Sequence, residues 1–261
     1  MTDDEIQAKA KANVQAVLEH CRKLTLQLTE LSSETKRVKG VASGFFIRLN
    51  GAIYLVSAGH VLETNGWAIE TDFTIEGENL TVCIPIGGAW TLKKITAGNR
   101  EMQDLDVAWA KVNLEDFQKA VSENTKLRGK SFEYLIYEGT LEDLPDAKEP
   151  HIYAAANRAD LIFENGKTYL KRDFSYEYEM EYKGIDEEGL YVFSVPNYKG
   201  NDHYEGASGS PIIEPSGKVV AIFVAGCESK SELYGYPTRG LGQLIMAGAD
   251  SEQDRTGPGT A

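Results

Sequence analysis

The chain has 261 residues, of which 42% are apolar, 26% charged and 10% aromatic, an ordinary globular composition with room for one large domain or two small ones. Its 27 basic and 40 acidic residues leave a formal net charge of −13, which repels a phosphate backbone and excludes generic nucleic-acid binding. The longest apolar run, residues 219–225, is far short of the ~20 residues that cross a bilayer, and Asp3-Asp4-Glu5 stands where a secretory leader would be basic, so a cytoplasmic protein without a membrane partner is expected.

Residues 3–33 hold no Gly or Pro and read as one helix. Thr2-Asp3-Asp4-Glu5 has the form of a capping box. Behind it, Ala10, Val14, Val17, Cys21, Leu24, Leu28 and Leu31 follow a 4,3 spacing, one narrow apolar seam along a rod of roughly 45 Å. The seam either packs on the domain that follows or meets another chain, as a homo-oligomer or with a regulatory partner. Residues 1–37 are thus expected to form an N-terminal amphipathic helix with its connector. Residues 1–40 carry a net charge of +1, which leaves −14 on the remainder.

From Gly40 the periodicity changes. Ser43–Leu49 and Ala52–Val56 read as strands joined by a tight Asn50-Gly51 turn. Leu80–Pro85, Val107–Val112, His151–Ala156 and Leu161–Glu164 suggest further strands. Phe174, Tyr176, Tyr178, Met180 and Tyr182 alternate with Glu177, Glu179 and Glu181, which predicts a strand with a buried aromatic face and a solvated acidic one. Leu190–Val195, Pro211–Ile213 and Val219–Val224 complete a pattern of many short strands, as in an all-β sandwich or barrel. The tail 248–261 is small and polar and reads as disordered. Cys21, Cys83 and Cys227 are odd in number and far apart, so they are expected to be reduced thiols; no metal-ligand spacing is present and no cofactor is implied.

Three segments carry chemistry. His60 ends Ser57-Ala58-Gly59-His60, where an apolar strand runs into small residues that support the ring without covering it. Asp106 lies at the mouth of the apolar strand Val107–Ala110; beside a histidine, such an acid fixes the imidazole tautomer and stabilises the imidazolium. In Gly206-Ala207-Ser208-Gly209-Ser210-Pro211 the glycines uncover the Ser208 hydroxyl and let the amides of Gly206 and Ser208 point into one pocket, as an oxyanion hole requires.

Taken together, Ser57–His60, Leu105–Ala108 and Gly206–Pro211 resemble the histidine, aspartate and serine motifs of chymotrypsin-like (trypsin-like) serine peptidases, in that family's order and at intervals of 46 and 102 residues. The resemblance covers about residues 38–245. It implies a mostly β, chymotrypsin-like double six-stranded antiparallel β-barrel over 38–247, preceded by the helix, with the barrel boundary near 120–130. It also implies a serine endopeptidase acting on protein substrates, with Ser208 as nucleophile, His60 as general base and then acid, and Asp106 as the orienting carboxylate; Asp104 is the alternative for the last role. Ala207 stands where the digestive enzymes carry the aspartate that pairs with a new N-terminus, and no Ile-Val-Gly-Gly start is seen near Gly40. That activation switch is therefore not expected, and the pattern looks closer to bacterial intracellular relatives. The family's side-chain pocket maps to Asp202, His203 and Glu205 on one side and Val224 and Gly226 on the other. Asp202 lies six residues before the nucleophile, the offset at which trypsin-like enzymes pair a substrate Lys or Arg, and Gly226 leaves room for a long side chain. His203 also leaves a preference for acidic substrates open. The alternatives are a catalytically silent or partner-activated peptidase fold used as a binding module, and a hydrolase acting on esters.

Overall fold

The N-terminal helix α1 (Asp3–Leu24) ends earlier than the seam suggests, and Leu26–Leu31 is instead the first strand, β1. The seam leucines also obey a second period: Leu24, Leu26 and Leu28 alternate with Thr25, Gln27 and Thr29, and β-branched threonines favour the extended chain. Tertiary pairing settles the competition, because β1 is hydrogen-bonded along both edges, to β2 (Val38–Leu49) and β4 (Trp67–Ile75). Of the seam residues left in α1, Cys21 and Leu24 are buried in the core and Val17 packs against it, while Val14 is exposed. The computed structural model describes residues 3–32, 34, 38–76, 81–95, 102–124, 126–129, 134–141, 144–156, 160–164, 167–171 and 174–255. The Thr2 cap expected from the sequence lies outside them.

Asn50 and Gly51, both at positive φ (47° and 81°), turn β2 into β3 (Ala52–Ser57) as the Asn-Gly signal requires. Helix α2 (Gly59–Leu62) follows at once. The rest of the first half comprises β5 (Thr81–Pro85), β6 (Trp90–Ile95), β7 (Met102–Lys111), α3 (Leu114–Glu123), β8 (Leu127–Gly129) and β9 (Ile136–Tyr137). Asn113 caps α3 by accepting from the Asp116 amide at 3.2 Å. Among the described residues these strands form a nine-stranded sheet, β5-β4-β1-β2-β3-β7-β6, with β8 on β4 and β9 parallel to β2. Long β2 pairs with β1 up to Gly44 and with β3 from Phe45, so the sheet turns a corner there. Because β8 and β9 belong to this sheet, the first half runs to Tyr137, beyond the expected boundary.

In the second half, β10 (His151–Ala156), β13 (Phe174–Ile185), β14 (Tyr191–Ser194), β17 (Glu232–Pro237), β16 (Val219–Cys227) and β15 (Pro211–Ile213) close an antiparallel six-stranded barrel. A separate hairpin, β11 (Asp160–Glu164) and β12 (Lys167–Lys171), stands apart from it. The expected double-barrel architecture is therefore present, with its closure complete in the second half.

Two expectations fail locally. The alternation of β13 breaks at Glu179 (φ 61°), where two residues oppose one of β10 and the phase flips. Glu177 is consequently buried and Tyr178 exposed, the reverse of the predicted faces. The segment expected to be disordered from Gly248 is helical as far as Arg255, in α4 (Leu241–Arg255). Leu241, Ile245 and Ala249, spaced i, i+4, i+8, give α4 an apolar stripe that packs into the core; residues 256–261 lie outside the described part.

That core joins the halves. One apolar cluster contains Phe45 and Trp109 of the first sheet, Ile213 and Ile222 of the barrel, and Leu24 of α1 with Ile245 of α4. Each half has a further cluster of its own. Among the described residues, no helix is long and apolar enough to cross a membrane.

Candidate active site

Gly59 sets the position of His60. A Cβ on Gly59 would lie 2.9 Å from both the Leu105 carbonyl oxygen and the Val107 amide nitrogen, so only glycine lets α2 start flush against β7. His60 therefore faces Asp106 directly. The Asp106 carboxylate accepts the His60 backbone amide at 2.9 Å, and His60 Nδ1 is 2.9 Å from each carboxylate oxygen. Nδ1 carries the proton in this contact, which leaves Nε2 as the free base. The hydrogen bond to Asp106 raises the His60 pKa above the ordinary 6.5; burial opposes it, and the Asp106 and Glu63 charges add to it. Burial on its own would raise the Asp106 pKa, but the ring and backbone hydrogen bonds from His60 outweigh it and hold the carboxyl below its usual range. The side chain of Asp104 lies outside the described part of the structure.

Ser208 comes from the other half and is fastened to the strand end that precedes His60. Ser43 in β2 makes two contacts with its loop: the amide donates to the Ser208 carbonyl at 2.9 Å and the hydroxyl to the Gly206 carbonyl at 2.8 Å. Ser57, at the end of β3, donates to the Ser43 carbonyl at 2.7 Å. A Cβ on Gly209 would overlap the Ser43 carbonyl oxygen and Ser57 Oγ and come within 3.1 Å of Ala58 N, two residues from His60. Gly209 is thus required for the loop to seat here. Sequence reasoning missed Ser43 and Ser57, both fully buried, because nothing in chain order couples them to residue 206.

The loop also controls its own amides. Glu205 (φ −61°, ψ 127°) and Gly206 (φ 88°) occupy the middle of a type II turn closed by the Ala207 amide on the Tyr204 carbonyl at 3.0 Å. The type I alternative needs negative φ at Gly206 and would turn the Glu205–Gly206 amide over. The amides of Ala207, Gly209 and Ser210 donate to Tyr204, Phe223 and Ala207. Those of Gly206 and Ser208 make none of the hydrogen bonds found among the described residues.

Beside Ser208 lies a cavity of about 320 Å³ walled by Asp202, Glu205, Tyr198, Tyr204 and residues 223–226. Of the expected pocket residues, Asp202, Glu205, Val224 and Gly226 meet here. Asp202 and Glu205 are exposed on the wall, not sunk in a floor. His203 turns away, its Nε2 3.0 Å from Ser175 Oγ. The room expected above Gly226 is partly taken by Tyr198, because a Cβ there would fall 2.6 Å from the Tyr198 hydroxyl.

No protein-family model matches the sequence, and no curated protein matches it. Among solved structures, the chain is similar to mouse neuropsin, a serine protease, with a TM-score of 0.53 and 12% identity over 87% of this chain and 95% of that one. It is also similar to a serine endoprotease from Yersinia pestis, with a TM-score of 0.47 and 12% identity over 88% of this chain; it spans 64% of that protein's length. The fold is that of the chymotrypsin-like serine proteases.

Proposed function

We propose that this chain is a serine endopeptidase that cleaves protein substrates through Ser208, His60 and Asp106. The observation that carries the reading is the contact of His60 Nδ1 with both Asp106 oxygens at 2.9 Å, formed next to the strand end on which the Ser208 loop is seated. In this reading His60 Nε2 takes the Ser208 hydroxyl proton as Oγ attacks the scissile carbonyl carbon. The negative oxygen that forms is met by the unengaged amides of Gly206 and Ser208, aligned by the type II turn. The C–N bond then breaks, His60 gives its proton to the leaving amine, and water hydrolyses the acyl-enzyme by the same route. The substrate backbone would lie along residues 224–226 of β16, beside the cavity, adding a strand to that edge.

Asp202 and Glu205 put two carboxylates on the cavity wall, which favours a Lys or Arg side chain before the scissile bond. Their exposure means that solvent screens the attraction, so the preference is graded rather than absolute. Profiling a peptide library with wild type and Asp202→Ala tests it: an unchanged profile removes Asp202 from specificity.

The function itself is tested by a fluorophosphonate probe on the intact chain. Wild type becomes covalently labelled at Ser208, and Ser208→Ala does not while unfolding at the same temperature. Absence of labelling in the wild type would leave the fold as a binding module.

A further inference from the structure

The turn that aims the Gly206 amide needs an anchor, and the sequence offers no aspartate before the nucleophile to supply one. The 3₁₀ turn Asn201–Tyr204 leads directly into it. Its side chains are tied to β13 by two polar residues that the strand's bulge turns inward. Glu177 Oε2 accepts from Tyr204 Oη at 3.1 Å, and Ser175 Oγ lies 3.0 Å from His203 Nε2. Glu177 and Tyr204 are each only 5% exposed, so the bond is shielded from water. Lys199, just before the 3₁₀ turn, places its ammonium 3.5 Å from the same Glu177 oxygen, which gives the buried carboxylate a countercharge. The Tyr204 ring is wedged among Tyr198 and His203, with ring centroids 4.7 and 5.1 Å away, and its carbonyl closes the type II turn. A continuous set of contacts therefore runs from β13 through Tyr204 to the Gly206 amide.

We infer that Glu177 is a positioning residue: through Tyr204 it holds the turn that presents the Gly206 amide, and it does internally what a freed N-terminus does in relatives that need activation. The inference rests on the serine-peptidase reading for its catalytic consequence but not for the anchor itself. Glu177 touches no reacting atom. Its loss should leave substrate binding almost unchanged and weaken an interaction made only in the transition state.

The test uses the full chain with p-nitrophenyl acetate as acylating substrate, together with hydrogen–deuterium exchange. Tyr204→Phe, which removes a single oxygen atom, and Glu177→Leu should lower kcat by roughly tenfold or more, the size expected for one hydrogen bond to a charged group, with KM within about twofold. Glu177→Gln keeps an acceptor for Tyr204 and should restore kcat to within about threefold of wild type. Amides of residues 200–209 should exchange faster in Tyr204→Phe and Glu177→Leu, while those of residues 43–60 keep their wild-type protection. An active wild type whose kcat survives Tyr204→Phe overturns the inference, as does a loss of kcat that comes with a rise in KM and a loss of stability and that Gln fails to rescue. If the wild type is not acylated at all, the peptidase reading fails and the exchange experiment decides the anchor: faster exchange at 200–209 supports it, and unchanged exchange overturns it.

Discussion

His60 and Asp106 meet at the edge of the first half, with side chains 50% and 34% exposed; His151 and Glu214 meet inside the closed barrel, at 0% and 7%. The residue types are alike, yet the outcomes are opposite. At the first site Nδ1 reaches both carboxylate oxygens at 2.9 Å, and the hydrogen bond raises the histidine pKa. At the second, His151 Nε2 stays 3.9 Å from Glu214 Oε1, beyond hydrogen-bond reach. Glu214 is engaged elsewhere, accepting the Asp146 amide at 3.0 Å and the Ser216 hydroxyl at 3.4 Å. The His151 ring lies instead against Phe193, 5.0 Å between centroids. Burial pushes its pKa below 6.5, although Glu214, the Met180 backbone and Asp146 pull the other way. A histidine next to a carboxylate becomes a base when the acid is free to bond it and the ring's other nitrogen is open. Deep in a barrel it becomes a neutral spacer.

The sharpest way to break this contrast is to remove each histidine. His60→Ala should abolish peptide hydrolysis, by about 10⁶-fold in kcat, because it removes the base from a unit that fails together. His151→Leu should leave turnover within a few-fold of wild type. Comparable losses in the two variants would abolish the contrast between the pairs, and a large loss in His151→Leu alone would reverse it.

Removing the carboxylates repeats the contrast at smaller scale. Asp106→Asn should lower kcat by about 10⁴-fold, since the amide favours the wrong tautomer, whereas Glu214→Gln should change it little. Burst kinetics on p-nitrophenyl acetate measure both.

The pH profile sharpens the comparison further. The base must be neutral, and its pKa is raised, so kcat/KM should climb with pH through an inflection above 6.5. In Asp106→Asn the hydrogen bond that raises this value is weakened, and the residual activity should show its inflection at lower pH. His151→Leu should leave the inflection in place.

The smallest effect belongs to stability. His151 has a folded pKa below its unfolded value, so the unfolded chain binds more protons and stability is lost as pH falls below 6.5. His151→Leu removes this contribution, and its Tm should fall less steeply than that of wild type between pH 6.5 and about 5. The two curves should run parallel above pH 7 and diverge as the pH falls below 6.5. Parallel Tm curves would show that His151 titrates alike in both states.

Local chemistry alone determined much of this protein. Asn50-Gly51 dictated its hairpin because a tight two-residue turn needs two residues at positive φ, and that demand is written in adjacent residues. The meeting of His60 with Asp106 was suggested locally too, by small residues ahead of the histidine and by an acid at the mouth of an apolar strand. Where a pattern fitted two periods, or a face depended on a partner, the chain by itself did not decide. Leu24, Leu28 and Leu31 suited a helical seam until pairing with β2 and β4 drew residues 26–31 into the sheet. The glutamates of β13 read as a solvated face, and a one-residue bulge against β10 turned Glu177 inward to Tyr204. Only the tertiary structure could bring Ser43 to Gly206, 163 positions away, or give His60 a bonded carboxylate and an exposed ring while burying His151. Hydrogen bonds of that range depend on how two halves pack over a shared core, and packing is a property of the whole surface rather than of any segment's composition.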